Sequence, residues 1–155
     1  MGYKGPFNRT MADEVTPTID TNAYTAGDVV GGLLTFDVCA AGGGGTIRHA
    51  WITDVHSEGA DLTLYLFNAT PTSIADDAAF AAAITIADLK NLVAVVSFAG
   101  ADFTTINNMD WQSVDVDKSF KSGDPNVLYG YLVDGTGGTW AAATNLTIGL
   151  VVWAD

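Results

Sequence analysis

Short apolar or alternating segments, each closed by a turn residue, recur along almost the whole chain, and this pattern decides the fold class. Residues 29–38 follow the turn Thr25-Ala26-Gly27-Asp28 and are interrupted by Gly31-Gly32, the mark of a bulge or a close backbone approach. In 61–68, Leu62, Leu64 and Leu66 alternate with Thr63, Tyr65 and Phe67, so both faces are expected to be covered. Residues 92–98 are strongly apolar and stop at Gly100. In 111–120, Val114 and Val116 point one way and Ser113, Asp115 and Asp117 the other. Residues 126–133 and 146–152 complete the series, and 18–24 and 46–56 read as two more strands.

The one helical candidate is 76–91, rich in alanine, with Phe80, Ala83, Ile84 and Ala87 near helical spacing and Asp76 or Asp77 as a cap. The β-branched run Ile84-Thr85-Ile86 admits a short strand there instead. No βαβ alternation and no long repeat is present. About eight strands with glycine-rich turns in 155 residues specify an all-β, antiparallel β-sandwich or jelly-roll-like single domain with one short helix. The four glycines 42–45 are expected to form a mobile loop, since the spacing and lysine of a phosphate-binding loop are missing.

Residues 1–16 break the pattern. Gly2-Tyr3-Lys4-Gly5-Pro6-Phe7-Asn8-Arg9-Thr10 has no periodicity and reads as an extended N-terminal arm, with 17–155 as the body. The chain has 18 acidic and 6 basic residues, for a net charge of −12. Lys4 and Arg9 give residues 1–12 a charge of +2, so the body carries −14. Such a body is repelled by phosphate backbones and anionic lipid, so neither nucleic acid nor membrane is an expected partner. Residues 1–10 hold no apolar run of the secretory type, so no leader is expected, and the longest apolar stretches are too short to span a bilayer. Deleting 1–12 is expected to leave the body folded.

Catalytic chemistry finds little support. Asp54, His56 and Glu58 could converge on a metal, as a metal-dependent jelly-roll enzyme would require, but they read better as solvated residues before the Gly59 turn. Asp115-Val116-Asp117 resembles the start of a calcium loop, with Asp124 as a third ligand, yet Phe120 stands where that loop needs glycine. Cys39, the single cysteine, reads as a semi-buried apolar residue. No catalytic group, metal or cofactor is assigned. The aromatics Trp51, Trp111, Trp140 and Trp153 read as core residues, except that Trp140 lies in the loop Asp134-Gly135-Thr136-Gly137-Gly138-Thr139-Trp140, where it is either a lid on its own core or a partner contact. A glycan-binding or adhesin module would use it for stacking.

The segment Tyr24-Thr25-Ala26-Gly27-Asp28-Val29-Val30-Gly31 fits a Y-x-A-G-D-x-x-G pattern. It is followed by Ile47-Arg48-His49-Ala50-Trp51-Ile52-Thr53-Asp54, a strand ending in Thr-Asp, and by Leu62-Thr63-Leu64-Tyr65-Leu66-Phe67-Asn68-Ala69-Thr70-Pro71-Thr72. Over roughly residues 17–155 the chain resembles small virion structural proteins of tailed bacteriophages. The resemblance implies a capsid decoration (cement) or other head accessory protein. Such a protein sits on the outer capsid surface, commonly as a homo-trimer, bound to the major capsid protein and without catalysis. On that reading the arm supplies the contacts, with Tyr3 and Phe7 as buried anchors and Lys4 and Arg9 as cations for acidic surface, and Trp140 adds a loop contact.

Overall fold

The computed structural model describes residues 9–38, 43–123 and 127–154, with Arg9 as backbone only. Nine strands lie among them: β1 (Arg9–Val15), β2 (Val29–Phe36), β3 (Gly44–Asp54), β4 (Leu62–Phe67), β5 (Leu92–Phe98), β6 (Thr104–Ile106), β7 (Met109–Lys121), β8 (Leu128–Asp134) and β9 (Leu146–Ala154). They form two antiparallel sheets, ordered β1-β9-β3-β7-β6 and β2-β8-β4-β5. Apart from the β4–β5 connection and the β6–β7 hairpin, consecutive strands alternate between sheets, and each sheet interleaves strands from the two ends of the chain. That order is a jelly roll, as the strand pattern indicated.

Alternation makes the core. Ile47, Ala50 and Ile52 of β3, Leu146, Ile148, Leu150 and Val152 of β9, and Leu62, Leu64 and Leu66 of β4 are all buried between the sheets. A second, smaller cluster lies outside the four-stranded sheet. There Phe67, Tyr129, Tyr131 and Val133 meet Ile74 and Phe80, which belong to the long β4–β5 connection. Both faces of β8 are therefore covered, and the whole strand is buried.

That connection holds two single-turn helices, α1 (Phe80–Ala83) and α2 (Ile86–Leu89), where the sequence pattern indicated one. The β-branched pair Ile84-Thr85 is extended and interrupts the helix, and Thr85 caps α2 in a box with Asp88. Asp76 caps neither helix. Its carboxylate accepts the Tyr24 hydroxyl (2.7 Å) and the N–H groups of Gly31 (2.6 Å) and Asp20 (2.9 Å). Burial, reinforced by the Asp76 bond, pushes the Tyr24 phenol well above its ordinary range. The aromatic and the second glycine of the Y-x-A-G-D-x-x-G segment thus build a turn around Asp76. Gly31 has φ +80°, and a Cβ there would overlap Pro17.

Three sequence-level expectations change. Segment 18–24 joins no sheet: Ile19 and Tyr24 donate isolated hydrogen bonds to Ala143 and Gly138 of the 134–145 loop. Gly44 and Gly45 belong to β3 instead of a loop, because a Cβ at either would overlap the facing backbone of β7 or β9. Finally, 9–15 of the segment read as an arm is strand β1, pairing with β9 from Arg9↔Ala154 to Val15↔Ile148. Thr10, Ala12 and Glu14 are exposed while Met11, Asp13 and Val15 are half-buried, a strand alternation that the short, mixed composition conceals. What remains of the expected arm is residues 1–8, with Tyr3, Lys4 and Phe7, outside the described residues. Cys39 and Asp124 also lie outside them.

Much of the acidity works inside the fold. Asp88 accepts the N–H and hydroxyl of both Thr72 and Thr85, at 2.6 to 2.8 Å. The Thr85 bonds hold its carboxyl down at about 2. A carboxyl depressed in the folded state stabilises the fold above its ordinary range, and the contribution fades as the pH falls through about 2. Asp88→Asn is therefore expected to cost about 2 kcal/mol in urea unfolding at neutral pH. The gap to wild type should narrow towards pH 2; an unchanged gap would show that Asp88 acts by packing alone.

Candidate functional site: the open face of the five-stranded sheet

The two sheets differ in what covers them. The outer face of the four-stranded sheet lies under α1 and the β4–β5 connection, whereas no described segment crosses the outer face of the five-stranded sheet. Strand register sets the side chains of that face in transverse rows. One row runs Thr10, Trp153, Thr46, Ser119; the next Ala12, Val151, His49, Asp115; then Glu14, Gly149, Trp51, Ser113; and last Thr147, Thr53, Trp111, Thr104. Three of the four tryptophans therefore share one solvent-facing surface, and Trp111 and Trp153 are 45% and 46% exposed.

Trp51 lies across the neighbouring strand over Gly149, where a Cβ would overlap the indole. The position is cleared for the ring. Trp111 extends into the β6–β7 hairpin, whose Asn107 and Asn108 both have positive φ (52° and 61°), as a tight two-residue turn requires. The hairpin exposes Ile106 (62%) and Met109 (42%), which with Val55, Thr53 and Trp111 line an apolar groove of about 350 Å³. Charge on the rows is sparse: Glu14 and Asp115 are the only carboxylates. At the β-bulge, Arg48 pairs with Asp117 at 2.5 Å and stacks over Trp153, 4.1 Å from the ring centroid. The Asp117 carboxylate that suggested a calcium loop is thus the partner of Arg48.

Trp140 is placed the other way. Its side chain is fully buried at the end of the sandwich, edge-on to Tyr24 with centroids 5.5 Å apart. Its indole N–H donates to Asp54 Oδ2 at 3.1 Å. The Asp134 carboxylate holds the loop in place by accepting the N–H groups of Thr136 (2.8 Å), Gly137 (3.0 Å) and Gly138. Trp140 thus closes its own core and presents nothing to a partner or a sugar. Of the two alternatives for Trp140, the structure has the lid on its own core, whereas Trp51, Trp111 and Trp153, expected in the core, lie on the open face.

The Asp54-His56-Glu58 group is a turn. Asp54 Oδ1 accepts the His56 N–H (2.8 Å), and Oδ2 accepts the Glu58 N–H (3.0 Å) together with the Trp140 indole. Glu58 in turn accepts the Thr139 N–H at 3.0 Å. Both oxygens of Asp54 are occupied, and the described residues contain no group of three or more His, Cys, Asp or Glu side chains placed to hold a metal ion.

No family model matches the chain, and no curated protein matches it. Among solved structures, it is similar to a chain of the Israeli acute paralysis virus full particle heated to 63 degrees. The match has 10% identity, covers 96% of this chain and 70% of that one, and gives a TM-score of 0.32. It is also similar to a chain of the native Kashmir bee virus virion at neutral pH, with 13% identity, 96% and 71% coverage, and a TM-score of 0.29. Likenesses this distant carry no functional argument.

Proposed function

We propose that the protein is a virion structural protein of the tailed-phage decoration type. It binds the major capsid protein on the outer capsid surface, stabilises neighbouring capsomers and performs no catalysis. The observation that carries this reading is the open sheet face, with three tryptophans and an apolar hairpin groove, its charges limited on the rows to Glu14 and Asp115 and at the bulge to the Arg48–Asp117 pair. Apolar, aromatic surface with a polar rim marks protein contact. The phage-protein resemblance of residues 17–155 supports the same reading, although its best motif serves the fold by building the turn at Asp76. Residues 1–8 would reinforce attachment through Tyr3, Lys4 and Phe7, and assembly as a homo-trimer follows from the resemblance. No helix among the described residues is long and apolar enough to cross a membrane.

Capsids lacking the protein should bind it and gain resistance to heat. Trp111→Lys combined with Ile106→Asp is expected to weaken occupancy by about a hundredfold or more while leaving the melting temperature unchanged, the size of effect typical of aromatic anchors. Occupancy that survives both substitutions would move the contact off this face. Failure of the wild-type protein to bind any capsid would end the reading.

A further inference from the structure

Two tryptophans of the open face have a carboxylate within reach, and among the described residues a cation sits at only one of the two pairs. At the first, the Arg48 guanidinium lies 4.1 Å from the centre of the Trp153 ring and pairs with Asp117. The planar cation is held twice, by the ring face and by a charge-assisted hydrogen bond. The second is Trp51 with Glu14. Both project from one transverse row, on either side of Gly149. With Ala12 and Asp13 they line a shallow pocket of about 200 Å³. Ala12 leaves space beside the indole, which is seated over Gly149, and among the described residues the lining holds no cation. Asp13 is engaged with the Asp37 N–H at 2.7 Å, whereas Glu14 is exposed at the rim.

We propose that Trp51 and Glu14 form a receptor for an arginine side chain of a different, basic protein chain. The fold already shows this chemistry at Trp153, Arg48 and Asp117. A second copy offers few donors, because the chain holds only two arginines and Arg48 is already held by Trp153 and Asp117. The inference rests on reading this face as the capsid contact, where the capsid subunit would supply the arginine.

The test follows the Trp51 indole N–H by NMR during titration with a short, blocked peptide containing one arginine, and with the same peptide carrying neutral citrulline. The arginine peptide should shift the Trp51 signal saturably, and the citrulline peptide should not. Glu14→Gln should weaken binding about fivefold, the loss expected for one exposed ion pair. Gly149→Ala should abolish it by pushing the indole off its seat. Glu14→Gln should melt with the wild type. No saturable shift, equal binding of citrulline, or indifference to Glu14→Gln would overturn the proposal. Self-association lost in Glu14→Gln would assign the arginine to a second copy and overturn the choice of partner. The peptide result is read on the isolated protein, so a failed pocket leaves capsid attachment to be judged by the Trp111 variant, and failed attachment leaves the pocket intact.

Discussion

Trp140→Ala is expected to destabilise the protein by about 4 kcal/mol, a core-truncation loss. The indole is fully buried against Tyr24, and the loop folds so tightly around it that a Cβ on Gly138 would crowd the ring. Truncation leaves a large void at the end of the sandwich and strips the Asp54 carboxylate of one of its three donors. Trp140→Phe should recover most of the packing but not the hydrogen bond, and so cost about 1–2 kcal/mol. Urea unfolding followed by circular dichroism checks both values. A Trp140→Ala protein of wild-type stability that fails only in binding would return the residue to the surface role suggested by its glycine-rich loop.

The case of Trp140 shows where the sequence stops being legible. Alternation in β7 and β9 states which side chains face in, and turn residues bound the strands, so the all-β class and most strand positions follow from local pattern. Which sheet face is left open does not. Trp51, Trp111 and Trp153 sit at outward positions of ordinary strands, and the same residues would be core if a loop crossed them, as the 68–91 segment crosses the other sheet through Phe80 and Ile74. One local sign was available for Trp51: Gly149 interrupts an otherwise bulky strand, and a glycine there marks a close approach from a neighbour. Asp54 and Asp134 accept mainly from N–H groups two to four residues further on, as aspartates at turns do, and only the Trp140 indole bond to Asp54 is distant in sequence. The net charge of −12 overstates the surface charge, because Asp54, Asp88, Asp110 and Asp134 are all buried.

Two truncations should behave very differently. Removing residues 1–8 is expected to leave the melting temperature within a few degrees of the full chain, because every β1–β9 pair begins at Arg9. Removing residues 1–15 is expected to destroy cooperative folding. It takes away the seven-residue strand β1 and its pairs along β9, exposes the edge of β9, and unpacks Val15 from the core. An unprotected edge built of Leu146, Ile148, Leu150 and Val152 is a template for aggregation, so the shorter protein should precipitate or run as large oligomers. Cutting at residue 12 falls within β1 and removes four of its seven pairs, from Arg9↔Ala154 to Ala12↔Val151. It therefore tests strand and arm together and separates neither. Thermal melts and size-exclusion profiles of the 1–8 and 1–15 deletions decide the matter. If the 1–15 deletion keeps the full chain's oligomeric state and melts with it, β1 is dispensable and the arm runs to residue 16. If only the 1–15 deletion collapses while the 1–8 deletion folds but binds capsids more weakly, attachment and folding divide at residue 8.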